Sequence, residues 1–225
     1  MLDAFPLASD LGKLLVMPFS EQVTLFKQSL QEQMPAYGID LSSDAQIQLA
    51  AYYELLLRWN ERLHLVAPCS PEVFAGRHVL ESLTLINHVP ESTAIADVGS
   101  GAGLPILPCM IAKPNLKATL IESSQKKSVF LREALKTLEL SSHAVILAKP
   151  FEQCETPAVD FVTSRALDSF TTKLPTLFGW APRQSTLLLF GGENLKEGFR
   201  AMNCEFIDYL LPGSENRFLF EVKKA

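Results

Sequence analysis

Between Ile95 and Pro108 the chain reads IADVGSGAGLPILP. A short apolar run ends in an acid, Asp97. Glycines follow at alternate positions, Gly99, Gly101 and Gly103, before Leu104. Glycine has no Cβ, so a loop dense in it after a strand lets a ligand lie against the backbone. A dinucleotide fingerprint needs G-x-G-x-x-G. Gly99 and Gly101 fit it, but the third position holds Leu104. The spacing present is G-x-G-x-G, with Asp97 two residues ahead. An acid there suits S-adenosylmethionine, whose amino-acid end carries an ammonium beside a sulfonium. Glu122 ends the next apolar run, about 20 residues after the loop, where a carboxylate accepts hydrogen bonds from both hydroxyls of a ribose.

These residues need a sheet to hold them. The chain has 225 residues, 48% of them hydrophobic, enough for one core or a core with a small annex. From Ile95 onward, apolar runs at AIADV, KATLIE, HAVILA, AVDFVTS and STLLLF alternate with helical stretches at PILPCMIA, SQKKSVFLREALKTLE and SFTTKLPTLFGW. That alternation predicts a parallel sheet with helices on both faces. The last two runs, EFIDYLL and RFLFEVK, are separated only by PGSEN, too short for a crossover helix, and so predict an antiparallel hairpin. The expected fold is α/β, a Rossmann-like sheet closed by a terminal antiparallel hairpin, the layout of class I S-adenosylmethionine-dependent methyltransferases. Ahead of it the spacing predicts a helical annex over residues 1–90, with the methyltransferase domain over 91–225. The annex helices are read at SEQVTLFKQSLQEQ, stopped by Pro35 and Gly38, at a helix capped by Ser43 with Gln46 as its capping-box partner, and at a helix capped by Ser70 with Pro71 in its first turn.

Composition also excludes. A formal net charge of −5 is not that of a basic nucleic-acid binder, so any RNA must be met by a local patch. Cys69, Cys109, Cys154 and Cys204 lie far apart, with no CxxC pair and no histidine spacing suited to zinc, which reads as reduced thiols and no metal site. The N-terminus carries Asp3 and Asp10 without a basic region before its apolar residues, and no apolar run nears the roughly 18 residues of a membrane span. The expectation is a soluble, cytoplasmic chain without a signal peptide.

The segments WNERLHLV (59–66), RHVLESL (77–83), DVGSGAGLP, LIESSQKKSVFL and TSRAL stand in an order that resembles the 16S ribosomal RNA guanine-N7 methyltransferases of the RsmG/GidB family, over Asp44 to Gly192. The resemblance implies S-adenosylmethionine as methyl donor and a guanine in the decoding-region loop of 16S RNA as acceptor. Because a small basic patch gives too little affinity to pick one guanine from a long RNA unaided, the expected substrate is the RNA within a small-subunit particle. The resemblance points to Lys126 as substrate-facing and to Arg165 as a contact of donor or target base. It also puts Phe151 and Glu152 beside the adenine, with either Lys149 or Pro150 at the family's basic position. Three positions depart from it: Ile106 stands for a glycine, Phe190 for a lysine, and Glu122 for the more usual aspartate. The expected donor set is Asp97, Gly99, Gly101, Gly103, Leu104, Glu122, Ser123, Phe151, Glu152 and Arg165, and the expected catalytic residues are Arg165 and Lys126.

Each candidate has a plain structural reading beside it. Lys126 and Lys127 open a helix where cations oppose the macrodipole, so they serve either a solvated face or a phosphate. Arg165 follows the fourth strand, at the sheet edge where such folds place ligands, and reads as a ligand contact or a salt bridge. Trp59 and Asn60 read as packing and capping, while Arg77 and His78 divide between structure and RNA contact. Absences narrow the chemistry. TSRA stands where amino-group methylation of adenine or cytosine wants a Pro-Pro-aromatic tetrad, and no cysteine follows the fourth or fifth strand to serve as a carbon-5 nucleophile. Guanine N7 has a free lone pair and loses no proton on methylation, so catalysis reduces to alignment with the donor methyl. The reading is a guanine-N7 methyltransferase of 16S RNA, monomeric. The alternatives are a small-molecule methyltransferase and a catalytically idle, donor-sensing RNA-binding module.

Overall fold

The computed structural model describes residues 17–165 and 170–224. The start of the annex, the Ala166 and Leu167 end of TSRAL, and Ser169 lie outside them. The first helix, α1 (Phe19–Gln33), gives way to a 3-10 turn over Met34–Tyr37 that stops at Gly38. The second, α2 (Ser43–Leu63), is capped by Ser42, not by Ser43 as the sequence suggested. Ser42 Oγ accepts from the Ala45 amide at 3.2 Å, and Gln46 donates to the Leu41 carbonyl instead of closing a capping box. A cap needs non-helical backbone, which Ser42 has and Ser43, already inside the helix, lacks.

The third helical run, α3, covers 71–88. Ser70 caps it, accepting from the Val73 amide, and Pro71 occupies its first turn as expected. Its middle, Phe74–Leu80, winds as a π-helix before a short α-turn at Glu81–Leu83 and a 3-10 end at Thr84–His88. A π-turn of this kind is uncommon and concentrates at functional sites. Phe74 packs against Tyr53 (ring centroids 4.7 Å apart), and Tyr53 stacks on Phe26 at 4.6 Å, so aromatic rings join α1, α2 and α3.

Seven strands follow: β1 (Ala94–Val98), β2 (Lys117–Ile121), β3 (Ala144–Leu147), β4 (Phe161–Arg165), β5 (Thr186–Gly191), β6 (Ile207–Leu210) and β7 (Phe218–Lys223). Their order across the sheet is β3-β2-β1-β4-β5-β7-β6. The first five pair in parallel, and β7 runs antiparallel to both β5 and β6. Crossover helices α4 (Ile106–Ala112), α5 (Gln125–Thr137) and α6 (Phe170–Trp180) follow β1, β2 and β4. A further helix, α7 (Glu193–Ala201), lies between β5 and β6 where the sequence reading placed none. Between β3 and β4 the described chain has a 3-10 turn at Phe151–Gln153.

The strands divide the core by alternation. Ile95 and Leu188 face one apolar cluster, while Ala96, Val98, Leu187 and Leu189 face the other. The first cluster also holds α1, α2, α3, α4 and α5, so the N-terminal helices share their core with one face of the sheet. The second is built with α6 and α7. The chain goes outward from β1 to β2 and β3, then returns to β4. Strand order therefore reverses between β1 and β4, which is where open α/β sheets form their binding crevice.

Candidate functional site

At that crevice the loop after β1 is held to the end of β2. The Gly99 and Ser100 amides both donate to the Ile121 carbonyl, at 2.9 and 3.1 Å. Glu122, the next residue of β2's chain, turns its carboxylate back under the loop. Its Oε2 accepts from the Gly101 amide at 2.8 Å and its Oε1 from the Ser124 amide at 2.7 Å. Two amides thus orient the carboxylate from opposite sides, and each oxygen keeps acceptor capacity for a further donor. Tyr52 of α2 ties the loop down from below, its hydroxyl donating to the Ala102 carbonyl at 2.8 Å. On the other flank, Ser164 Oγ of β4 donates to the Val98 carbonyl at 2.7 Å.

The loop glycines do different work. Gly101 has φ +51, and a Cβ built there would meet only the Gly99 carbonyl, at 3.7 Å. The space beside it is open to the cleft. Gly103, at φ +83, instead lies against α4: a Cβ would fall 2.3 Å from Leu107 Cδ1. Its missing side chain is taken up by helix packing, not by the cleft.

Asp97 is fully buried below the loop, and neither carboxylate oxygen has a hydrogen-bond partner among the described residues. Buried polar atoms are almost always paired, so an unpartnered carboxylate beneath a ligand-type loop marks a place where a donor is missing. Burial pushes its pKa up to about 8 and the Glu122 charge adds to that; the nearby Ser100 hydroxyl opposes, but it donates to the Asp97 backbone carbonyl at 3.0 Å and not to the carboxylate.

The cleft has a volume of about 380 Å³. Of the expected donor set, Gly99, Gly101, Leu104, Glu122, Ser123 and Arg165 line it. Asp97 sits beneath it, and Gly103 packs on α4. Phe151 is buried against Trp180, with ring centroids 5.7 Å apart, and Glu152 pairs with Lys173 at 3.2 Å; neither is on the cleft wall. Lys126 is exposed and outside the cleft, whereas its neighbour Lys127 lines it. Sequence reasoning passed over Ser100, Ala102 and Lys173, and over the wall formed by Leu65, Val66 and Ala67. That wall was partly legible in WNERLHLV: Asn60 clamps Val66 by accepting from its amide at 2.9 Å and donating to its carbonyl at 3.1 Å. Trp59 packs edge-on against Phe130 of α5.

Arg165 reaches the cleft, but its guanidinium is tied into α3. Nη1 donates to the His78 carbonyl (3.0 Å) and Ser82 Oγ (2.9 Å). Nη2 donates to the Arg77 carbonyl and to Glu81 Oε2 at 3.3 Å. Glu81, 1% exposed, is shared: its other oxygen accepts from Arg217 Nε at 3.0 Å and from Nη2 at 2.8 Å. The ends of β4 and β7 are thereby joined to the π-helical turn through one buried carboxylate. The ring of Phe190, standing where the resemblance puts a lysine, lies 5.9 Å from the Arg165 guanidinium carbon. His78, adjacent to this network, lines the cleft as a neutral imidazole. Burial, then the charges of Arg165, Arg77 and Arg217, pull its pKa down to about 3. Among the described residues no cluster of His, Cys, Asp and Glu could hold a metal ion, and no helix is long and apolar enough to cross a membrane.

The sheet order, the antiparallel β7 and the glycine loop at the β1–β4 reversal define the class I S-adenosylmethionine-dependent methyltransferase fold. The chain is similar in fold to a SAM-dependent methyltransferase from Aquifex aeolicus (TM-score 0.52, 13% identity, covering 64% of this chain and 89% of that one). Within that class, the chain belongs to the GidB family, rRNA small subunit methyltransferase G, whose family model matches residues 45–206. It is 39% identical over 141 residues to the ribosomal RNA small subunit methyltransferase G of Xanthomonas axonopodis pv. citri, the match covering 63% of this chain and 65% of that protein. The protein of the same name from Neisseria meningitidis serogroup C is 36% identical over 140 residues, covering 62% of this chain and 67% of the relative.

Proposed function

We propose that this chain transfers a methyl group from S-adenosylmethionine to N7 of a guanine in 16S ribosomal RNA. The observation that carries the donor assignment is Asp97, a buried carboxylate without a partner, beneath a glycine loop whose Gly101 side is open. An ammonium is the group such a carboxylate lacks, and the Glu122 carboxylate, held by two amides, has acceptor capacity for hydroxyls. Asp97, Gly99, Gly101, Leu104, Glu122 and Ser123 would hold the donor. When bound, S-adenosylmethionine supplies an electrophilic methyl on a sulfonium.

The chain's residues then have a limited task. N7 attacks through its own lone pair, so no side chain need remove a proton. The Leu65–Ala67 wall and the glycine loop fix the depth of the cleft, and position substitutes for acid–base catalysis. Arg165, tied to the π-helical turn, keeps the far wall and neutral His78 in place. Family membership supports 16S RNA as the acceptor. In this reading the helices to about residue 90 form an annex to a methyltransferase domain, and the chain acts as a cytoplasmic monomer on a small-subunit particle. The test is to map 7-methylguanine in 16S RNA from cells lacking the protein. Loss of one modified guanine, restored by the purified protein with S-adenosylmethionine, is expected. Unchanged modification would refute the acceptor.

A further inference from the structure

The cleft carries three cationic side chains, Lys127, Arg165 and Lys173. They differ in what already holds them. Both terminal nitrogens of Arg165 donate within the chain, to four groups of α3, the Glu81 carboxylate among them. Lys127 makes no side-chain hydrogen bond or ion pair among the described residues, and it is only partly exposed. Among the described residues Lys173 has a single carboxylate partner, Glu152 Oε1 at 3.2 Å, and its ammonium also lies 5.7 Å from the Phe151 ring centroid. Lys173 and Glu152 are 38% and 34% exposed, so water competes for the pair and holds its energy low.

Placement adds to this. Lys127 is on α5, which follows β2, and Lys173 is on α6, which follows β4. In the sheet these two strands flank β1, so the lysines approach the glycine loop from its two sides. S-adenosylmethionine sets one carboxylate against a sulfonium and an ammonium, so it is cationic overall and offers at most one anionic group to the two lysines that border the cleft. They match a phosphodiester. The chain as a whole has a net charge of −5, so the cations that meet RNA must be concentrated where the base enters.

We propose that Lys127 and Lys173 grip the RNA backbone beside the target guanine, and that Glu152 is a built-in competitor that Lys173 leaves when a phosphate arrives. This assignment rests on the proposed reading of the acceptor as RNA. It makes Lys127, not the neighbouring Lys126, the substrate-facing lysine of the pair. It also gives Lys173 a role that the sequence did not signal: phosphate contacts fix register without reading bases.

The experiment uses the full chain, small-subunit particles from cells lacking the protein, and S-adenosylmethionine. Particle binding is measured across a salt series, and donor binding separately by calorimetry. Lys127→Ala and Lys173→Ala are each expected to weaken particle binding about 10-fold, as for loss of a charge-assisted contact. Each should also lower the slope of log K against log salt by about 1. Lys126→Ala should do less than Lys127→Ala. Glu152→Gln should strengthen binding about 3-fold by freeing Lys173, and that gain should vanish when Lys173→Ala is also present. Donor affinity should stay the same in all four single variants. The proposal is overturned if the lysine substitutions change donor affinity and leave the salt slope alone. It is equally overturned if the Glu152→Gln gain persists without Lys173. A native protein that binds donor but not particles refutes the RNA reading itself, and this assignment with it.

Discussion

Replacing Asp97 with Asn should make the ligand-free protein more stable and the donor-bound protein less so. The carboxyl is fully buried and lacks a hydrogen-bond partner, and burial holds its pKa near 8 instead of the usual 3.8. A carboxyl whose pKa is raised on folding contributes most below its unfolded value. That contribution is lost as pH climbs toward the folded value, because the unfolded chain ionises freely while the folded one must bury the charge or stay protonated. The window runs from about pH 4 to about pH 8. At 1.36 kcal/mol per pH unit, the penalty approaches about 6 kcal/mol at its upper end, a ceiling that internal relaxation lowers. Between pH 6 and pH 8 alone it should grow by about 2 kcal/mol, whereas Asn, which does not titrate, pays nothing with pH. In a chain of this length that corresponds to a gap in Tm widening by about 4–8 °C in favour of Asp97→Asn. Thermal unfolding of both proteins at pH 6, 7 and 8 reads this directly. Calorimetry with S-adenosylmethionine should show the opposite sign, with affinity falling about 10- to 100-fold for want of a charged acceptor. A Tm gap that stays constant with pH would refute the buried, unpartnered state of the carboxyl. Equal donor affinity would refute its pairing with an ammonium.

Gly103→Ala places a Cβ 2.3 Å from Leu107 Cδ1 at φ +83, so clash and backbone strain together should cost about 2–4 kcal/mol in chemical denaturation; a neutral result would mean that the loop and α4 repack freely. Glu81→Ala leaves Arg165 and Arg217 facing each other without the carboxylate they share, and should cost about 3–5 kcal/mol of stability by denaturant titration, where under 1 kcal/mol would show that the network is not cohesive. Asn60→Ala removes both hydrogen bonds that clamp Val66, at about 1–2 kcal/mol, and should weaken donor binding because Val66 is cleft wall; unaltered donor binding would separate that wall from the donor.

Much of the fold is legible in the chain because it depends on local periodicity. Strands buried on both faces read as near-continuous apolar runs, so Thr186–Gly191 declares itself, as does Ala94–Val98 with Asp97 its one charged position, and PGSEN is too short to join its flanking strands in any way but a hairpin. The glycine loop is equally local: its spacing, with Asp97 ahead and Glu122 after, names a ligand class before any coordinates. Helix α7 escaped because Gly198 inside it lowers helix propensity. The structure supplies the reason for that glycine, since a Cβ there would stand 2.9 Å from Leu174 Cδ2 of α6. The π-helical turn in α3 escaped too, for a one-residue widening of the hydrogen-bond register leaves the apolar pattern nearly unchanged.

What the tertiary structure alone decided is which side chains meet. Lys126 and Lys127 are adjacent and identical, and a helix turns them about 100° apart, so only the packing of α5 on the sheet determines that Lys127 enters the cleft. Arg165 reads in sequence as a residue at a ligand edge. Its partners are Glu81, 84 positions earlier, and through it Arg217, 136 positions beyond Glu81. Asp97 reads as an acid poised for a cation, but that it is wholly buried and unpaired follows from how α2, α4 and the loop close around it. Residue type sets what chemistry a side chain can perform. Desolvation and the choice of partner set which chemistry it performs, and both are properties of the packed chain.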